Sequence, residues 1–304
     1  MSFVLIPPLG VLDENLYAST VPEDPSSAWD HFTTYASGAV VHVPDTHRKY
    51  VSLQASNTNK DPVTEIAWWE DIGPTNRWAM FDAEISTATA TDDQVLEVKI
   101  RPGQRITDVA LFGLQATKVR VRYTKEPGGD LLFDEEQSLS AVPVVDWTSY
   151  YTAPFVYRKE AIFANIPGTA AGELTITITG DGVSQTKCGA CLYGLAITFG
   201  SASIGTKLGF VDYSRREVDP DFGTVSFLKR DSAKTLDLPL EVPGGLLSQV
   251  TSVLDSVRGV PCVWVPLVDE RYSALMVYGW MEDSSCVINE DSVHNYVLNI
   301  KGLT

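Results

Sequence analysis

Four groups of residues place reactive side chains at close spacing. Cys188-Gly-Ala-Cys191 has the two-residue gap of zinc knuckles and redox dithiols. A structural zinc ion needs four ligands, however, and Cys262 and Cys286 stand alone much later in the chain. A redox pair needs its first cysteine at a helix start, whereas this pair leads into Leu192-Tyr193-Gly194, which reads as a strand. Two small residues in a hairpin are the plainer reading, with the thiols free. His42-Val-Pro-Asp45-Thr-His47 offers three metal-ligating side chains, but imidazoles five apart across a proline have no fixed geometry, and a solvated turn explains them equally. Glu65, Glu70, Asp71, Asp82 and Glu84 gather around tryptophans and suggest the acid and base of a glycosidase. Spacing alone does not set two carboxyl groups about 5 to 10 Å apart, and an acidic chain puts carboxylates near any tryptophan. Asp92-Asp93 between two strands suits calcium, with a polar turn as the alternative. The sequence contains no Gly-x-Ser-x-Gly elbow, phosphate loop or His-Glu-x-x-His helix. The expectation is a nonenzymatic protein without catalytic residues, metal or cofactor.

Ring-bearing residues are the stronger candidates for binding. Tyr35, Tyr50, Trp68 and Trp69 fall near the N-terminus with Trp29, and Trp147 and Tyr150 lie beyond the middle with Tyr151. Exposed rings stack on sugar faces and dominate protein interfaces. Core packing is the competing fate of each.

Composition narrows the partners. Lys and Arg number 23 against 39 Asp and Glu, a net charge of -16 that opposes binding to a phosphate backbone. Nucleic acid is therefore not an expected partner, and the acidity serves solubility. The 304 residues are 44% hydrophobic, enough for two or three domains with their own cores. The opening Met1-Ser-Phe-Val-Leu-Ile-Pro-Pro-Leu-Gly10 has no basic region and is cut by prolines, so it does not read as a signal peptide. No stretch approaches the roughly 20 apolar residues that span a bilayer. Synthesis in a reducing cytoplasm and free cysteines follow.

The elements that must position these residues read as mainly β. From 29 to 74 a small β module is expected, with Gly38 before one strand, Tyr50 starting a second, a turn over 57–62, and a third strand ending at Trp69. From 75 to 205 strands alternate with period two. Leu96, Val98 and Ile100 oppose Glu97 and Lys99; Val119, Val121 and Tyr123 oppose Lys118, Arg120 and Arg122; Leu174, Ile176 and Ile178 oppose threonines. Tyr193 to Phe199 is nearly all apolar and reads as a central strand, and the basic row 118–122 suits a solvated face or an acidic neighbour. From 206 to 304 the pattern predicts a separate α+β domain. Gly209 to Val218, Gly223 to Arg230 and Leu236 to Val242 are strands, and further strands follow at Pro261 to Val268, Met276 to Met281 and Val293 to Ile300. The one amphipathic helix carries Leu246, Leu247, Val250, Val253, Leu254 and Val257 on a stripe ended by Gly259. Residues 1–28 form an apolar segment suited to a sheet or a neighbouring subunit.

Three resemblances attach to these residues. The spacing Tyr35-x-x-Gly38-x-Val40, Tyr50, Pro62, Trp69-x-x-x-Gly73 resembles the chitin-binding type 3 carbohydrate-binding modules, although Leu53 and Gln54 replace that family's exposed aromatic pair. The run Trp78 to Asp82, Thr87 to Thr91, Leu96 to Ile100, Ile106 to Leu114 and Val119 to Tyr123 resembles the jelly-roll sandwich of galactose-binding and discoidin-like domains. Arg258-Gly-Val-Pro261-Cys-Val-Trp264-Val and Asp146-Trp147-Thr-Ser-Tyr150-Tyr151 resemble features of tail proteins of tailed bacteriophages. Together they imply a small β module and a jelly-roll β-sandwich followed by a C-terminal α+β docking domain, with one helix on an antiparallel sheet. The implied role is a structural component of the virion, in the tail tip, baseplate or fibre-attachment region. Its implied partners are other tail proteins, copies of itself and a host-surface glycan. A carbohydrate-binding host-recognition protein is the first alternative and a cell-surface polysaccharide hydrolase the second.

Overall fold

The computed structural model describes residues 2–141, 146–147, 156–218, 221–288 and 293–304. The chain is mainly β, and an α-helix of 10 residues runs over Leu247–Ser256. Among the described residues no helix is long and apolar enough to cross a membrane.

The small module is a four-stranded sheet of Ser27–Ala28, Val40–Val43, Arg48–Ser52 and Trp69–Pro74, joined by a short ladder between Thr34–Tyr35 and Asn57–Thr58. Alternation along Arg48–Ser52 turns Tyr50 and Ser52 inward, and Tyr35, Val41, Tyr50 and Trp69 close over one another as its core. The last strand begins at Trp69, where the sequence pattern had one ending. The reason is pairing: Trp69 lies opposite Ser52, and Glu70 and Asp71 continue the ladder opposite Val51 and Tyr50.

The central sandwich has five strands on three. Leu131–Ser138, Lys118–Thr124, Glu173–Thr179, Val95–Ile100 and Leu16–Ser19 lie in that order, all antiparallel. Their alternation puts Leu96, Val98, Ile100, Val119, Val121, Tyr123, Leu174, Ile176 and Ile178 on one buried face, as the period-two pattern predicts. Ala161–Phe163, Asp108–Phe112 and Ala190–Gly194 form the opposing sheet. On the outer face the basic row is paired within the chain. Lys118 meets Glu136 at 3.1 Å, Arg120 meets Asp134 at 2.5 Å and Arg122 approaches Glu97 at 3.8 Å, so no acidic neighbour is required.

The C-terminal sheet runs in the order Ile197–Ala202, Ser2–Ile6, Cys262–Val265, Val277–Ile288, Val293–Gly302, Ser232–Pro243 and Lys207–Asp212. Ser201 and Ala202 also pair with Glu241 and Leu240, which closes six of these strands into an antiparallel barrel. Phe3, Leu5, Phe199, Leu236, Leu238, Leu240, Trp264, Leu298 and Ile300 fill it, and Val250, Leu254 and Val257 bring the helix onto that core. Gly259, with φ of 73°, turns the chain just beyond the helix.

Two sequence expectations change here, and for residues 1–28 the sheet is found of the two settings expected: Ser2–Ile6 is a barrel strand with Phe3 and Leu5 on the barrel core and Val4 and Ile6 toward the sandwich, and Leu16–Ser19 is an edge strand of the sandwich with Leu16 against its core. The apolar run from Tyr193 to Phe199 is two strands rather than one. A side chain at Gly194 would sit 2.3 Å from the Pro7 carbonyl oxygen, so the backbone passes closely there, and Ile197–Ala202 crosses into the barrel. Gly209 to Val218 is likewise divided, into Lys207–Asp212 in the barrel sheet and Arg215–Val218 in a separate hairpin with Val225–Leu228.

The two large units share a layer. Val4, Ile6, Val263, Val265 and Tyr278 on the outside of the barrel pack against Ala110, Phe112, Ile162, Ala190 and Leu192 of the three-stranded sheet. That sheet is therefore covered on both faces. Asp108–Phe112 and Ala190–Gly194 accordingly read as continuous rather than alternating apolar runs.

Candidate functional site

Tyr35, Tyr50 and Trp69, expected to stack on sugar, retain only 8%, 6% and 2% of their surface and form the module core. The Tyr35 and Trp69 rings meet edge to face at 5.3 Å, and Trp69 Nε1 donates to the Lys60 carbonyl at 2.9 Å. A ring with both faces packed has no surface for a sugar, so these three are corrected to structural residues. Trp68 is half-buried at the edge of this core, with Lys60 Nζ 5.5 Å from its ring centre. Trp147 is exposed, and Tyr150 and Tyr151 lie outside the described residues.

The reactive groups are dispersed. Cys188 and Cys191 are both buried in the sandwich core. Burial pushes the Cys188 thiol up to about 12, and burial together with the charge of Cys188 raises Cys191 well above its ordinary value. Neither is poised as a thiolate. His42 is buried, with Nδ1 3.3 Å from Ser26 Oγ, whereas His47 turns to Glu23 and Asp13, so the two imidazoles do not act together. Among the described residues no group of three His, Cys, Asp or Glu could hold a metal ion. Three of the five carboxylates near the tryptophans have separate partners: Asp71 binds Arg48 and the Gly73 amide, Glu65 faces Lys60 at 3.9 Å, and Asp82 accepts from Thr87 at 2.6 Å. Asp92 accepts from Gln185 at 2.9 Å.

Sequence reasoning missed two sites. The first is the junction where residues 13–24, the module and residues 75–78 converge. Glu23 accepts from Thr75 Oγ1 at 2.8 Å, lies 3.5 Å from Arg77, and contacts His47. Asp24 accepts from the Ser26 and Asn76 amides at 2.9 and 3.1 Å, and Lys49 of the module is 3.5 Å away. Burial pushes the Asp24 carboxyl upward, but the bonds from Ser26 and Asn76 and the Lys49 charge outweigh it and leave it below the usual carboxylate value. Its stabilisation is therefore complete above the ordinary carboxylate range and is lost as pH falls through the lowered value. Asp24→Asn is expected to cost about 1.5–3 kcal/mol at neutral pH, the range for a hydrogen-bonded charge. In urea unfolding the difference from wild type should shrink in acid.

The second is a surface. In the hairpin Arg215–Val218 with Val225–Leu228, every strand residue is exposed, and among the described residues the pair bonds to no third strand. Cross-strand register puts Arg216, Val218, Val225 and Phe227 on one face. Phe227 is 72% exposed; Phe222 between the two strands, at 83%, and Phe210 in the preceding strand Lys207–Asp212, at 65%, are exposed as well. The alternation of these apolar residues marked strands, but nothing local marked the strands as uncovered.

A cleft of about 390 Å³ between sandwich and barrel is lined by Phe112, Lys159, Glu160, Lys234, Tyr278 and Thr304. Its charges are partly spent on each other, because Lys234 Nζ binds Glu160 at 2.7 Å and the Ala274 carbonyl at 3.1 Å.

No protein-family description matches this chain, and no curated protein matches it. Among solved structures, reduced XRCC1 bound to the DNA polymerase beta catalytic domain aligns with 38% of this chain and 84% of its own, at 12% identity and a TM-score of 0.28. That likeness is too slight to carry a conclusion about fold or function.

Proposed function

We propose that the chain is a structural component of a bacteriophage tail, in the tip, baseplate or fibre-attachment region, that assembles with copies of itself through its C-terminal domain. The tail setting comes from the sequence resemblance; the contact surface comes from the geometry. One observation carries the reading, the exposed strand pair Arg215–Val218 and Val225–Leu228 with its apolar face. A two-stranded hairpin alone is marginal in water and gains order when another surface covers it. Charge favours a second copy as that surface. Residues 207–234 hold six Lys and Arg against five Asp and Glu, in a chain with 23 against 39, so this projection does not share the chain's net negative charge and meets little repulsion from an acidic neighbour.

Sedimentation velocity over a concentration series tests the reading. Wild type should self-associate, and Phe227→Asp should weaken association at least tenfold, about 1.4 kcal/mol, without lowering the thermal midpoint. Phe227 is exposed in the single chain, so the substitution removes no core contact. Labelling of intact particles with antibody should decorate the tail. A chain that stays monomeric at every concentration, or that releases sugar from a polysaccharide, overturns the reading.

A further inference from the structure

His47 sits in the turn of the hairpin Val40–Val43 and Arg48–Ser52, with φ of 53° in the left-handed region, and its carbonyl accepts the Thr75 amide at 2.7 Å. Its ring lies between two acids: Nδ1 is 2.8 Å from Glu23 Oε1 and Nε2 is 2.7 Å from Asp13 Oδ1. A carboxylate only accepts hydrogen bonds, and a neutral imidazole has a single N–H. Both contacts are bonds only when the ring carries both protons. The ring also stacks on Trp78, centres 4.0 Å apart and planes at 17°, an arrangement that favours a cation over the indole face.

We infer that His47 is a protonation-dependent latch holding the small module against the N-terminal segment and the sandwich. It joins three stretches distant in sequence: its own hairpin, residues 13–23, and residues 75–78. The charged groups around it define what happens when one proton leaves. Glu23 is held by Thr75 and Arg77, whereas the Asp13 side chain is 69% exposed and its contact to His47 at 2.7 Å is its only ion pair among the described residues. Within the hairpin, Arg48 turns to Asp71 and Lys49 to Asp24, so neither supplies the missing charge. The remaining N–H stays with Glu23, Asp13 faces a lone pair and departs, and the Trp78 stack loses its cation. The bond from Thr75 to the His47 carbonyl persists, so the module loosens rather than detaches.

The test uses the full chain. In ¹⁵N-histidine NMR over a pH series, both ring nitrogens of His47 should resonate as protonated at the lower pH and one should change at the higher, because carboxylates flank both nitrogens and a neutral ring keeps a single N–H. Spin labels at Val63→Cys in the module and Val183→Cys in the sandwich, in a Cys286→Ser background, report the distance between the units; Val63, Val183 and Cys286 are exposed and the other cysteines buried. Wild type should give one narrow distance at the lower pH and a second, broader population at the higher. His47→Gln should give the same distribution at both, and Asp13→Asn should remove most of the pH response. A singly protonated ring at the lower pH, an unchanged wild-type distribution, or an equal response in His47→Gln overturns the inference.

Discussion

Leu5→Asp is expected to unfold the C-terminal barrel. Leu5 has no exposed surface, pairs with Ile197 on one side and Trp264 on the other, and fills the barrel with Phe3 and Phe199. Replacing it removes a fully buried leucine, worth about 2–5 kcal/mol even as alanine. It also leaves a carboxylate without a partner in an apolar interior, a further cost of about 3–5 kcal/mol by analogy with a broken buried ion pair. Even partial relief leaves a loss comparable with the whole stability of a domain, about 5–15 kcal/mol. The neighbours spread the damage, because Val4 and Ile6 on the same strand pack against Ala110, Phe112 and Leu192 of the sandwich. Calorimetry should show the barrel transition lost and the remaining transition lowered, with Leu5→Ala intermediate. Wild-type melting of Leu5→Asp would mean that residues 2–6 lie free, as an external assembly segment would.

Trp69→Ala is expected to melt the small module, at a cost of about 3–5 kcal/mol, the range for deleting a large buried ring. The module core has four principal side chains, Tyr35, Val41, Tyr50 and Trp69, so one ring is a large share of its apolar contact. The substitution also removes the donor to the Lys60 carbonyl, which ties the loop before the last strand to the sheet. Trp68→Ala provides the contrast. Its ring is only partly covered, and about 1 kcal/mol is the expected cost, typical of a point substitution. Amide signals of Tyr50 and Val41 should lose dispersion in Trp69→Ala and keep it in Trp68→Ala. Equal behaviour of the two variants would contradict the placement of Trp69 at the centre.

The difference between these adjacent tryptophans shows where sequence reasoning stops. Both read as binding rings, since residue type and neighbourhood are the same. Only the register opposite Ser52 turns Trp69 inward, and that register depends on a strand seventeen residues away. The same limit applies to His47. The motif His42-x-x-Asp45-x-His47 suggested a local metal loop, but the partners of His47 come from positions 13 and 23, and His42 faces Ser26. By contrast, the helix stripe through Val250 and Leu254 and the alternating rows at 96–100, 119–123 and 174–178 were legible, because each is a repeat within a single element.

Local pattern alone was sufficient to establish a mainly β chain with three β-rich regions, one amphipathic helix and buried alternate residues. Folding in three dimensions assigned the strands to sheets. It inserted Ser2–Ile6 between strands that lie about two hundred residues or more further on, closed the barrel through Ser201 and Glu241, and placed one three-stranded sheet between two cores. The physical cause is that side-chain periodicity records whether a residue faces apolar surroundings or water, which neighbours along the strand suffice to encode. Which surface covers that residue depends on the faces other elements leave open, and loop closure over long chain separations adds only slowly to the cost of meeting them.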